Sequence, residues 1–331
     1  MGTAQSPGKI EGFTPRRWFG GGHVQTLASF LIKRRFHLPA PEERLIEVAP
    51  GIPVLCQCHW QPDRTKPLTI IVVHGLEGSS DSGYVLGVAE KALAAGMNVI
   101  RYNQRSCGGT DRLAPTLYHS GLSNDVATVA REVIARDGVQ HLALVGFSMG
   151  GNLVLKLAGE WGSEGPPQFR AVAACCPAMD LAASADALHE PANRLYELYF
   201  LFNLRQRMLR KARLFPGHFD VSRMRGMRSL RDFDDKITAY YCGFSGADDY
   251  YARAAAANVV ERIAVPGLIL HAANDPFVRI TAETRRKIAS NPNLTFVETA
   301  DGGHCAFVGS RNSVDDGHWA ETQLVNFLRR F

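Results

Sequence analysis

The pentapeptide Gly146-Phe147-Ser148-Met149-Gly150, with Gly151 beyond it, has the residue types for nucleophilic chemistry. A serine hydroxyl attacks a carbonyl only when a base removes its proton, and that base, a histidine, needs a carboxylate to orient it. G-x-S-x-G recurs by chance, so its setting matters. Here it follows the apolar run 141–145 and precedes a helical pattern from Asn152 to Trp161. That strand–turn–helix setting lifts a serine Oγ above a sheet edge. The glycines allow neighbouring chain to approach a tight turn. The turn also puts the Met149 N–H at a helix start, where negative charge is favoured.

In such a site the partners follow in the order Ser, Asp or Glu, His. Asp275 lies directly after the strand candidate Leu268–His271, in Ala273-Asn274-Asp275-Pro276-Phe277, and is the expected acid. His304, in Asp301-Gly302-Gly303-His304-Cys305, follows the last strand candidate and is the expected base. Asp180 also follows a strand and competes for the acid role. Asp248 and Asp249 read as solvent-facing or helix-capping, and Asp301 sits before two glycines. His271 inside a strand and His318 at a helix start read as structural. Upstream, His74-Gly75-Leu76-Glu77-Gly78 ends a strand. The loop after such a strand supplies the second oxyanion donor, so the Leu76 N–H is expected beside that of Met149. Losing one such donor costs about 3–4 kcal/mol in comparable enzymes. His74 is expected to hold this loop by hydrogen bonds.

The elements that must position these residues are legible as a rhythm. Strand candidates 45–48 and 53–59 flank Pro50-Gly51 and form an expected hairpin. Strands at 68–73, 97–102, 141–145, 171–176, 267–271 and 294–298 alternate with helices at 84–95, 123–136, 152–161, 282–289 and 318–330. The alternation predicts an α/β fold, a mostly parallel sheet with helices on both faces. The rhythm breaks over 180–258, which is rich in Arg, Tyr, Phe, Leu and Met and is expected to be a helical cap insertion. The core is then 43–179 with 259–331. Residues 1–42 show no clear periodicity and are expected to wrap the surface. Within the cap, the aromatic stretch Tyr196–Phe202 is followed by Arg205, Arg207, Arg210, Lys211 and Arg213. The expectation is a helix packed on the core with a solvated basic end. The competing readings are an interfacial helix near anionic lipid and a lining for an acyl pocket.

Composition narrows the classes. With 37 basic and 32 acidic residues in 331, the net charge of +5 does not mark a nucleic-acid binder. Seven cysteines without regular spacing argue against a disulfide framework, and neither Cys56/Cys58 nor Cys175/Cys176 has C-x-x-C zinc spacing. No metal or cofactor is expected, and reduced thiols suit a cytoplasmic protein. No run reaches the roughly 18 apolar residues of a membrane span. Met1-Gly2-Thr3-Ala4-Gln5-Ser6 fits the loose myristoylation pattern.

Taken together the motifs resemble the YheT-like branch of the α/β hydrolases, the AB hydrolase type 4 family. The likeness rests on Gly22-His23-Val24-Gln25-Thr26-Leu27, His74–Gly78, Arg105-Ser106-Cys107-Gly108-Gly109, Gly146–Gly151, Phe233-Asp234, Gly243-Phe244 with Tyr250-Tyr251, and Asn274-Asp275-Pro276-Phe277. It implies the α/β-hydrolase fold, a triad on Ser148, Asp275 and His304, and hydrolysis of carboxylic esters; some relatives make or cleave medium-chain acyl esters or act on lipids. The chain departs from the family pattern at Gly22 and Val24, where Pro and Leu are usual, and at Asn274, where Asp is common. The expected ligand is a small-molecule ester, with an acyltransferase or an inactive ligand-binding fold as the alternatives.

Overall fold

A strand that is apolar at every position has no face for water and must be covered on both sides. A computed structural model of the chain, describing residues 12–310 and 316–331, shows how this is done. Eight strands form one sheet: β1 (Glu42–Ala49), β2 (Ile52–His59), β3 (Thr69–Val73), β4 (Asn98–Tyr102), β5 (Leu142–Phe147), β6 (Phe169–Cys175), β7 (Gly267–Ala272) and β8 (Leu294–Thr299). Their order is β1-β2-β4-β3-β5-β6-β7-β8. β1 and β2 form the antiparallel hairpin, β2 runs antiparallel to β4, and every later pairing is parallel.

Alternation along the strands divides the core in two. Ile71 and Val73 point to the face where α3 (Ser123–Asp137) and α4 (Met149–Trp161) bury Val126, Val129, Val133, Leu153, Val154 and Leu157. Ile70 and Val72 point to the opposite face. There α2 (Gly83–Ala94) and α11 (Trp319–Leu328) bury Val85, Val88, Leu324 and Leu328. Burying each such side chain stabilises the fold by roughly 1.5–3 kcal/mol. α10 (Ala282–Ser290) joins β7 to β8. The α/β expectation is met, with a mostly parallel sheet and a helical layer on each side.

Between β6 and β7 run α5 (Leu181–Leu188), α6 (Arg194–Leu214), α7 (Leu230–Phe233), a π-helical turn Asp234–Ala239, α8 (Tyr240–Cys242) and α9 (Ala247–Ala254). The basic end of α6 is not simply solvated. Arg207 and Lys211 are buried. Arg207 Nε donates to Glu77 Oε1 at 2.9 Å and the guanidinium also reaches Ser106 O. The Lys211 ammonium donates to Ser106 Oγ and Asp111 O at 2.9 Å each and to Ala114 O. Burial lowers the Lys211 pKa to about 8. These two cations bolt the cap to the loops after β3 and β4, while Arg210 and Arg213 remain exposed.

Residues 22–31 form a helix, α1, within the segment expected only to wrap the surface. Its pattern is inverted. α1 buries Gln25, Thr26 and Ala28 and leaves Val24, Leu27 and Leu31 exposed. An apolar moment therefore points the wrong way, and the buried face is polar because it supports a loop described below. The amino-terminal lipidation pattern lies outside the described residues.

Candidate active site

Ser148 occupies a turn of one residue. β5 keeps its ladder as far as Phe147, which pairs with Cys175, and α4 begins at Met149, three residues before its apolar pattern suggests. Ser148 takes φ 54°, ψ −119°, a strained conformation for a residue with a side chain. Glycine is required on either side. A Cβ on Gly146 would lie 2.2 Å from Gly150 O, and one on Gly150 would lie 2.3 Å from Val73 O. The crowding pushes the Ser148 side chain up and out of the sheet. Met149 is the first residue of α4, so its N–H has no intrahelical acceptor.

The imidazole of His304 reaches Ser148 from the loop after β8. Its Nε2 is 2.9 Å from Ser148 Oγ, and its Nδ1 is 2.8 Å from Asp275 Oδ2. A carboxylate can only accept, so Nδ1 carries the proton and Nε2 is left to accept from the serine hydroxyl. Asp275 sits in the loop after β7, and its other oxygen accepts from the N–H groups of Phe277 at 3.1 Å and Val278 at 2.9 Å. Burial favours the neutral acid, but the charge and hydrogen bond of His304, the nearby His271 and the Val278 N–H outweigh it and hold Asp275 below the usual carboxylate range. The three side chains singled out by chain order are thus within hydrogen-bond distance at one edge of the sheet.

The loop after β3 lies directly over the serine: a Cβ on Gly75 would meet Ser148 Cβ at 3.1 Å. His74 is fully buried and holds this loop. Its Nδ1–H donates to Gly75 O at 2.8 Å, and its Nε2 accepts from Gln104 N–H at 3.2 Å. Burial lowers its pKa to about 4, consistent with the neutral ring this pattern needs. The Gly75 N–H donates to Tyr84 Oη, and Glu77, at φ 56°, turns the chain so that Leu76 faces the serine. Leu76, Met149 and Ser148 all line one cavity, of about 800 Å³ counted to its open mouth. Its walls are mainly apolar, with Leu188, Phe200 and Leu204 from the cap and Phe277 and Val278 from the β7 loop.

The competing groups have other partners. Asp180 caps the start of α10, accepting from Thr281 N–H at 2.9 Å and Thr284 Oγ1 at 2.8 Å. Asp248 pairs with Arg231, and Asp249 accepts from Ser245 N–H. His318 begins α11, and His271 is buried beside Asp275. Asp301 accepts from Gly21 N–H at 2.9 Å and from Asn274 Nδ2 at 2.6 Å.

Three supporting residues have no local signal in the sequence. Thr26 Oγ1 accepts from His304 N–H at 2.9 Å and donates to Gly22 O at 2.7 Å. Gln25 accepts from Val308 N–H and donates to Val308 O. Asn274 Oδ1 accepts from Gly303 N–H at 3.1 Å. The polar face of α1 therefore holds the backbone on which His304 turns, where Gly303, Cys305 and Phe307 all have positive φ. The motif Gly22–Leu27 and Asn274 were visible only as parts of a family likeness, without a role.

A strained serine at the C-terminal edge of a parallel sheet wound in this order is the architecture of an α/β hydrolase. Residues 69–310 match the family described as alpha/beta hydrolase fold. The chain is 31% identical over 323 residues to YheT of Escherichia coli K12, named as a candidate esterase, covering 96% of this chain and 93% of that one. It belongs to the α/β-hydrolase family and, within it, to the YheT-like branch. Human phospholipase ABHD3 is 28% identical over 311 residues, covering 91% of this chain and 75% of its own. The chain spans 60% and 59% of the bovine and mouse forms. Esterase Pf2001 of Pyrococcus furiosus, 16% identical, shares the fold at a TM-score of 0.60 over 98% of this chain and 99% of its own.

Proposed function

We propose that the chain is a serine carboxylic-ester hydrolase that acts through an acyl-enzyme on short- to medium-chain acyl or lipid-like esters. The observation carrying this is the relay from Ser148 through His304 to Asp275, at 2.9 and 2.8 Å, at the floor of an apolar cavity. His304 removes the serine proton as Oγ attacks the ester carbonyl. Asp275 fixes the tautomer and stabilises the imidazolium. The N–H groups of Leu76 and Met149 receive the oxyanion, which is why strain at the elbow and at Glu77 is tolerated. His304 then gives its proton to the leaving alcohol, and water repeats the cycle in reverse. The apolar walls suit an acyl chain. The names of the esterase and phospholipase relatives point to the same bond type.

The test is labelling by a fluorophosphonate probe with a panel of p-nitrophenyl esters from acetate to dodecanoate. Labelling of the wild type, its loss in Ser148→Ala, and turnover of at least part of the panel are expected. An unlabelled wild type, or flat and negligible rates across all lengths, would sink the proposal in favour of an inactive binding fold. Product analysis with added ethanol separates hydrolysis from acyl transfer.

A further inference from the structure

α1 and α6 each turn a row of large apolar side chains to solvent. On α1 the row is Val24, Leu27 and Leu31; on α6 it is Leu195, Leu198 and Phe202, so each follows i, i+3, i+7 spacing along one helix face. Leu31 is 78% exposed, Leu195 80% and Phe202 61%, and Trp18, just before α1, is 83% exposed. Single exposed leucines are ordinary, whereas aligned rows on neighbouring helices mark a contact surface. The helices do touch. The rings of His23 and Tyr196 stack with 5.8 Å between centroids and 4° between planes, and His23 Nδ1 is 3.1 Å from Tyr196 Oη. His23 precedes Val24, and Tyr196 follows Leu195, so the two helices meet at the ends where the rows begin. The other face of α6 supplies Phe200 and Leu204 to the cavity above Ser148. Tyr196 also packs on Phe277, which packs on His304, with ring centroids 5.3 and 4.4 Å apart.

Charge is segregated to the same two segments. Residues 12–41 hold five Lys or Arg and no acid, and 194–231 hold ten against two acids. Removing these from the totals leaves 22 basic and 30 acidic residues in the rest of the chain, so the net positive charge is carried by the two segments that bear the apolar rows, with Arg207 and Lys211 among its buried part. Arg16, Arg17, Lys33 and Arg35 are exposed around α1, as are Arg210, Arg213, Arg225 and Arg228 beyond the row on α6. Exposed apolar rows with exposed cations in the same segments suit the boundary of an anionic bilayer, where the chains enter the acyl region and the cations meet phosphates. A protein partner would equally cover the apolar rows, but the charge asymmetry favours an acidic surface. We propose that α1 and α6 together form a docking face for anionic lipid, adjoining the cavity that holds Ser148. The proposal draws its purpose from the ester-hydrolase reading, but lipid binding is measured without turnover, so the two can fail separately.

The experiment is co-sedimentation of the full chain with phosphatidylglycerol/phosphatidylcholine vesicles and with pure phosphatidylcholine vesicles, at about 0.1 and 0.5 M salt. Binding to the anionic vesicles that weakens at the higher salt is expected. The variant Leu27→Gln, Leu31→Gln, Leu198→Gln, Phe202→Gln should lower the partition coefficient roughly ten-fold or more. Arg225→Glu with Arg228→Glu, on an exposed loop, should lower it for anionic vesicles alone, and it decides the matter if the first variant does not fold. Both should keep the wild-type rate on a soluble ester such as p-nitrophenyl butyrate. A wild type that ignores anionic vesicles, or variants that bind them as well as it does, would overturn the proposal. So would wild-type self-association that the apolar variant abolishes without any vesicle binding, which would give the face to a second copy.

Discussion

Asp275 receives three hydrogen bonds, two from backbone and one from His304, and all three require an acceptor. In Asp275→Asn the amide NH₂ either faces the Phe277 and Val278 donors or faces His304, and the latter selects the wrong imidazole tautomer. We expect kcat to fall by roughly 10⁴-fold with KM little changed, measured on the best p-nitrophenyl ester. Thr26 acts one step further back, through the His304 backbone. Thr26→Ala leaves that N–H without its acceptor, a cost of about 1–3 kcal/mol in unfolding free energy. It should lower kcat more than it raises KM, and Thr26→Ser, which restores the hydroxyl, should recover both. Ser148, Asp275 and His304 could be read from the sequence because each follows a recognisable strand in the expected order. Thr26, Gln25 and Asn274 could not, since their roles depend on partners that only the closed fold supplies; Thr26 and His304 are 278 residues apart.

At the scale of elements, the six parallel strands were legible to within two residues at each end, because short buried apolar runs between turns have few other uses, whereas β1 begins three residues before the expected 45–48. α1 was not, because its apolar repeat, Val24, Leu27 and Leu31, is short and faces solvent, while the face it buries carries Gln25 and Thr26. Its start is also unusually close to the β7 loop: a Cβ on Gly22 would lie 1.8 Å from Asn274 O. Gly22→Ala should therefore displace α1 from that loop, lowering both the unfolding midpoint in urea and kcat. The π-helical turn of the cap presents a second element-scale test. Asp234, in the cavity wall, accepts from Thr238 Oγ1 at 2.8 Å and Tyr251 Oη at 2.7 Å, yet burial outweighs these bonds and raises its pKa to about 6. The folded state thus holds this proton more tightly than the unfolded one, so stability is lost as pH rises from about 4 through 6. Asp234→Asn removes that loss. Its stability relative to wild type, from urea unfolding, should improve between pH 4 and pH 7, and an unchanged difference would refute the assignment.

For the whole molecule, the insertion between β6 and β7 makes the cavity a composite, with Ser148 from the sheet edge and Phe200 from the insertion; under the proposed function the first does the chemistry and the second selects the chain. Phe200→Ala should lengthen the preferred acyl chain, with kcat/KM for longer esters rising relative to butyrate by about 10-fold. An unchanged length profile would place chain selection elsewhere. The cap's basic composition was evident in the sequence, but its division into two buried bolts, Arg207 and Lys211, and an exposed remainder was not, because nothing local distinguishes an arginine that finds Glu77 from one that does not.

The threading of α1 beneath the His304 loop has a temporal side. A ribosome delivers α1 and the elbow serine well before the imidazole and the loop that α1 must cradle, since His304 lies 156 residues beyond Ser148. Until then α1 has nothing to grip, and the nascent chain carries a serine with no base. The imidazole is therefore held against Ser148 only once α1 and the His304 loop, 278 residues apart at Thr26 and His304, have packed together.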